Sequence, residues 1–175
     1  SSDVCSSDLV AGVSLLTAFG RRGFAGSFLY DTFGIQFPFT TAGVVLAEAF
    51  VAMPFLIITV EAGFRGMHKE YEEVAATLGA SSWQTFRHVT LPLVAPALLS
   101  GVVLCWARAV GEFGATIGFA GNFPGVTQTM PLAIYSQLEI DRSLAIGLST
   151  ILLLVCLVIL VLLRRTYLRG DTSND

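Results

Sequence analysis

Arg108 and Glu112 stand four residues apart inside a long apolar stretch. On a helix that spacing puts a guanidinium and a carboxylate on one face, where they can pair. Ionisable side chains within a membrane span are costly, so each is a candidate functional group. Two readings are open. Either Arg108 draws an anion toward a path, or the pair neutralises itself and locks helix packing. The lock is preferred, because Glu112 cancels much of the attraction. Gly111, Gly114, Gly118 and Gly121 leave the same region with little bulk and bare amides. Such amides suit an anion, and they equally permit close helix approach. With Thr116 and Asn122, the candidate path residues are Arg108, Glu112, Gly114, Thr116 and Asn122.

Other reactive groups are sparse. Glu48 lies seven residues into its apolar segment; it faces either the bundle interior or an interface. Glu61 and Arg65 form an i, i+4 pair at a span end and read as interfacial charges. His68 and His88 have no H-E-x-x-H setting and no cysteine partner, so neither a metal nor another cofactor is expected. Cys105 and Cys156 lie within apolar runs and read as small hydrophobes, and Cys5 adds no framework spacing. No G-x-x-x-x-G-K-[ST] phosphate loop is present, so the chain is not expected to hydrolyse ATP.

The elements that position these groups are apolar helices. The chain has 175 residues, 54% apolar and only 13% charged. A soluble domain carries about 25% charged residues. The net charge of −3 also argues against a nucleic-acid binder. Spans are expected over about 41–64, 93–120 and 144–163, the last without a charge. The 9–20 run is too short for a complete span, which needs about 20 residues. Residues 1–8, a near-repeat of SSDVC and SSDL, read as a non-native scar ahead of a chain truncated at its N-terminus. Pro54 suggests a kink in the first long span.

Positive charge sets an orientation. Arg65, Lys69 and Arg87 fall between the first two long spans, and Arg164, Arg165 and Arg169 follow the third. Only Arg142 lies between the second and third. The 65–92 loop and the 166–175 tail are therefore expected in the cytoplasm, with 121–143 as an external loop. Arg21 and Arg22 then fall outside, against the bias.

The 65–92 loop is patterned. Glu70, Glu72 and Glu73 suit the first turns of a helix over 69–78. Tyr71, Val74, Ala75 and Leu78 fall on one apolar face. Gly79 suits a left-handed C-terminal cap. Ser81-Ser82-Trp83-Gln84 matches a capping box, opening a second helix that Leu91-Pro92 is expected to end.

Glu73-Val74-Ala75, three residues, Gly79, nine residues, then Val89-Thr90-Leu91-Pro92 resembles the EAA loop of ABC-importer permeases. Val74 replaces Ala and Val89 replaces Ile. Within that family the chain resembles the molybdate type most closely. Gly20-Arg21-Arg22-Gly23, the 106–116 run, Phe119-Ala120-Gly121-Asn122 and Thr129 to Tyr135 carry this resemblance. The Arg-Ala-x-Gly-Glu-Phe-Gly-Ala-Thr part is shared with sulfate-type permeases.

The resemblance implies an all-α, polytopic transmembrane helix bundle over 9–165 with a cytoplasmic coupling-helix hairpin. Glu72, Glu73, Ala75, Ala76, Gly79, Leu91 and Pro92 would form the ATPase-coupling loop. It implies a multi-pass protein of a bacterial or archaeal inner membrane, surrounded by lipid. Expected partners are cytoplasmic ABC ATPase subunits, an extracytoplasmic oxyanion-binding protein and a second permease copy. Under the anion reading, which stays the alternative to the lock, Arg108 would lie toward the outer end of the path, some 24 Å along its helix from Pro92 at about 1.5 Å per residue. Molybdate is preferred as cargo, with tungstate or sulfate as alternatives. A secondary transporter or channel would instead need coupling charges at mid-membrane and no docking loop.

Overall fold

A computed structural model describes residues 2–68 and 70–170, with side chains for 7–68 and 70–161. Readings that rest on Cys5, Lys69, Arg164, Arg165, Arg169 and the end of the tail lie outside the described residues or side chains. The described residues form helices joined by turns. The chain divides into two compact units, one drawn from its two ends up to Val51 and from Ala107, the other Ala52–Trp106.

In the first unit, α1 (Ser2–Phe19) is followed by α2 (Phe24–Phe33), which ends on Gly34 in the left-handed region. Next, α3 (Thr41–Gly66) starts in this unit and carries Pro54 without ending there. Leu15, Ala47, Ala115 and Phe119 make the buried core, flanked by the edge-on pair Phe19 and Phe37.

The second unit holds the rest of α3, then α4 (Glu70–Thr77) and α5 (Ser82–Thr85). A single π-helical turn, Phe86–Thr90, leads without a break into α6 (Leu91–Val110). The expected stop at Leu91-Pro92 is therefore replaced by a change of helical register. The Leu91 amide donates to the Phe86 carbonyl, five residues back. Pro92 has no amide hydrogen and its ring crowds the preceding turn, and the wider turn accommodates both. Small residues let α3 and α6 approach: a Cβ on Gly101 would stand 3.0 Å from Leu56 Cδ1.

Back in the first unit, α6 ends at Val110, and α7 (Gly114–Ala120) is a separate short helix. This corrects the single span expected over 93–120. The expected external loop 121–143 also contains α8 (Met130–Ile140), which packs against α9 (Arg142–Gly170). Pro131 falls in the first turn of α8. Asp141 caps α9, its Oδ1 accepting from the amides of Ser143 at 2.9 Å and Leu144 at 3.2 Å.

Among the described residues, Thr41–Gly66, Ser82–Val110 and Arg142–Val161 are long and apolar enough to cross a membrane. Only 6% of the Arg142–Val161 window is buried, as suits a lipid-facing helix. The Ser7–Phe19 stretch is shorter.

Candidate functional site

The α4–α5 hairpin is built by local rules. Glu70, Glu72 and Glu73 occupy the first turn of α4, favourable to the helix dipole. Its end is a Schellman cap. The Gly79 amide donates to the Ala76 carbonyl at 3.0 Å, and the Ala80 amide to the Ala75 carbonyl at 3.1 Å. Gly79 has φ +80°, and a Cβ there would meet nothing within 4 Å. Backbone conformation alone thus selects glycine. Ser81 and Gln84 complete the capping box: Gln84 Oε1 takes the Ser81 amide at 2.9 Å, and Ser81 Oγ takes the Gln84 amide at 3.4 Å.

The face α4 turns inward differs from the one its periodicity suggests. Tyr71, Val74 and Leu78 are exposed, Leu78 to 83%. Ala75, named with them on one apolar face, is instead buried. Glu72 is half-buried, and Thr90 Oγ1 donates to its Oε1 at 2.9 Å. Glu73, Ala76 and Gly79 are exposed. Trp83 stacks on Phe86 with ring centroids 5.8 Å apart, and both are exposed. The hairpin therefore shows apolar side chains outward while a carboxylate–hydroxyl bond fastens it to the helix carrying Leu91 and Pro92. Sequence reasoning missed Thr90, which has no local signal: its partner lies 18 residues away.

In the first unit, Arg108 and Glu112 pair as their spacing suggests, Nη1 to Oε2 at 2.6 Å. Glu112 is fully buried, and its Oε1 accepts the Ala115 amide at 2.7 Å. The carboxylate thus satisfies an otherwise unpaired amide at the start of α7. Arg108 Nη2 also donates to Asp8 Oδ2 at 2.8 Å. Asp8 belongs to the segment read from sequence as a scar. Two carboxylates on one guanidinium, with the second oxygen of Glu112 occupied, form a closed electrostatic knot.

The structure brings Gly114 against Asp8 of this knot. A Cβ on Gly114 would sit 2.9 Å from the Asp8 Cβ, and one on Gly12 would sit 2.8 Å from the Ala115 carbonyl oxygen. Gly12 and Gly114 thus serve the close approach of α1 and α7, whereas a Cβ on Gly118 would make only ordinary contact, at 3.5 Å. Thr116 is fully buried on α7, its Oγ1 without a partner among the described residues. Asn122 lies beyond α7 and pins a loop: its Nδ2 donates to Ser136 Oγ at 2.8 Å, and Gln128 Nε2 donates to its Oδ1 at 3.0 Å. Elsewhere, Glu61 and Arg65 pair at 2.7 Å and stay exposed. Among the described residues no group of three or more His, Cys, Asp or Glu could hold a metal ion.

Residues 9–169 match the family model described as binding-protein-dependent transport system inner membrane component. The chain is 48% identical over 165 residues to the molybdenum transport system permease protein ModB of Mycobacterium tuberculosis, covering 94% of this chain and 62% of that protein. It is 45% identical over 131 residues to ModB of Escherichia coli, covering 75% and 57%. A probable sulfate transport system permease protein cysT of Chlorella vulgaris is 43% identical over 155 residues, covering 88% and 58%. The chain thus spans between 57% and 62% of the length of these relatives. Asp8 lies immediately before the matched segment. An apolar, all-helical membrane chain with this match belongs to the family of binding-protein-dependent transport system inner membrane components.

Proposed function

We propose that this chain is the permease subunit of an ABC importer, forming the membrane path for an oxyanion. Molybdate is the preferred cargo. A binding protein outside the membrane delivers it, and separate ATPase subunits drive its passage. The observation that carries this reading is the α4–α5 hairpin. A Gly79-capped helix and a capping box at EAA-like spacing lie within the family match. The names of the relatives at 48% and 45% identity favour molybdenum over sulfate.

In this reading the hairpin faces the cytoplasm. Tyr71, Val74 and Leu78 meet a groove on the ATPase, with Glu73, Ala76 and Gly79 beside them. The buried Ala75 and the Glu72–Thr90 bond set the hairpin against its own helix. Leu91 and Pro92 lie where the hairpin joins the span. Two copies of the permease enclose the path within a bacterial or archaeal inner membrane. ATP closes the two ATPases, pulls both hairpins together and switches the path between its two openings. Arg108 and Glu112 act in this scheme as a helix lock and not as an anion site.

Uptake into proteoliposomes of the permease–ATPase complex tests the proposal. Molybdate, tungstate and sulfate are each supplied on their own binding protein. ATP-dependent uptake of molybdate is expected. Uptake of sulfate alone overturns the cargo, and uptake without ATPase subunits overturns the importer reading.

A further inference from the structure

Gly20, Arg21, Arg22 and Gly23 link α1 to α2 and border a cavity of about 430 Å³. Gln36 and Phe39 also line it, and among the described residues no carboxylate does. The Arg21 guanidinium is held in place without being neutralised. Its Nη2 donates to the Tyr30 hydroxyl at 2.9 Å, and its carbon stands 4.8 Å from the centre of the Tyr30 ring. Neither Arg21 nor Arg22 has an ion-pair partner among the described residues, whereas Arg108 has two. Phe39 holds φ +61°, rare for a bulky residue, and packs edge-on against Phe123 with centroids 6.1 Å apart. An aromatic side chain, an amide side chain and two adjacent arginines thus border the cavity, with the Arg21 guanidinium held at its edge by Tyr30.

From this arrangement we propose that Arg21 and Arg22 form a receiving site for a tetrahedral oxyanion. The inference rests on the permease reading, in which these arginines face outward. There the charge bias of membrane proteins disfavours cations, and a cationic pair needs another reason to be present. Guanidiniums give forked donors that match oxyanion geometry, and Gln36 adds a neutral donor. The volume admits a dianion with part of its hydration, at about 30 Å³ per water. Stacking on Tyr30 orders Arg21 before the anion arrives, which lowers the entropy lost on binding. A free dianion and a phospholipid phosphate share this chemistry.

The test uses the permease–ATPase complex in nanodiscs of phosphatidylcholine alone, titrated with inorganic molybdate. Arginine-dependent binding is expected, about tenfold or more weaker in Arg21→Gln/Arg22→Gln. The Arg21→Lys/Arg22→Lys variant should fall between, because it keeps charge and loses the fork. Arg87→Gln, which removes one cation elsewhere in the chain, serves as a control and should bind as wild type does. A second arm uses discs containing phosphatidylglycerol and native mass spectrometry. Arginine-dependent lipid retention that molybdate does not displace assigns the site to a lipid phosphate. Displacement of that lipid by molybdate assigns it to the free dianion. If folded double variant and wild type bind molybdate equally and retain lipid equally, the proposal is overturned. Wild-type uptake measured on the same preparation separates the two readings. Intact molybdate uptake with no arginine dependence removes this site and leaves the permease, while loss of uptake for every oxyanion removes the permease reading itself.

Discussion

Thr90 donates its hydroxyl to Glu72 across 18 residues of chain, at 2.9 Å. Thr90 is only 4% exposed and closes the π-turn that runs into Pro92. Glu72 sits in the first turn of the hairpin helix. One bond therefore joins the element proposed to meet the ATPase to the helix proposed to cross the membrane. In the proposed mechanism this part-buried polar contact would pass movement of α4 to α6, beyond the covalent linker.

Thr90→Val keeps the side-chain shape and removes the donor. It should cost about 1 kcal/mol of stability. It should also raise the number of ATP molecules hydrolysed per anion moved. Glu72→Gln retains an acceptor oxygen and should stay near wild type, whereas Glu72→Ala should resemble Thr90→Val. ATP turnover and uptake measured on the same proteoliposomes check this. Unchanged stoichiometry in Thr90→Val would show that the bond carries no coupling.

Gly79 isolates a backbone effect. Its φ of +80° is unfavourable for residues with a Cβ, yet open space surrounds it. Gly79→Ala should destabilise the hairpin by about 1 kcal/mol, and Gly79→Val by more. Gly79→Asn should recover much of the loss, because asparagine tolerates the left-handed region. ATPase binding to the three variants should follow the same order. If Gly79→Asn binds as poorly as Gly79→Val, ATPase contact and not φ sets the requirement.

Local signals were legible in sequence because both partners lie within a turn or two. The Ser81–Gln84 box, the Gly79 cap and the Arg108–Glu112 and Glu61–Arg65 pairs are all of this kind. Long-range partners were not legible. Periodicity placed Tyr71, Val74, Ala75 and Leu78 on one face, but Thr90 draws Glu72 inward and leaves three of the four outside. The break after Val110 was hidden because 114–120 is as apolar as a span interior. Its trace was Glu112 three residues ahead of Ala115, a capping distance that the ion-pair reading had already claimed. Pro92 was read as a stop, where the π-turn lets the helix continue. For α8 the signals were present, in Pro131 and Asp141, but the segment was too short to register as a span.

The α1–α7 contact predicts a contrast between glycines. A Cβ on Gly12 meets the Ala115 carbonyl oxygen at 2.8 Å, whereas one on Gly118 finds its nearest neighbour at 3.5 Å. The first contact is with backbone and cannot yield cheaply. Gly12→Ala should destabilise by about 1–3 kcal/mol. Gly118→Ala should stay within about 0.5 kcal/mol of wild type. Thermal unfolding in detergent of the two variants, side by side, measures the difference. Equal losses would mean that α1 and α7 separate more freely than their packing implies.

The Arg108–Glu112 knot gives the last prediction, and its third member changes the expected result. Arg108→Ala strands a buried carboxylate and should cost about 3–5 kcal/mol. Glu112→Ala leaves Arg108 with Asp8 but also removes the acceptor for the Ala115 amide. A simple ion pair would be restored almost fully by the double change. Here the Ala115 amide remains unpaired in either background, at about 1–3 kcal/mol. Arg108→Ala/Glu112→Ala should therefore recover only part of the assembled complex. Arg108→Ala/Glu112→Gln should recover more, because glutamine offers that amide a neutral oxygen. Asp8→Ala should cost less than about 1 kcal/mol, since Asp8 and Arg108 both remain partly open to solvent. Yield of assembled permease–ATPase complex ranks the five variants. If instead Arg108→Ala assembles normally and loses only uptake, the guanidinium serves the anion, and the lock is wrong.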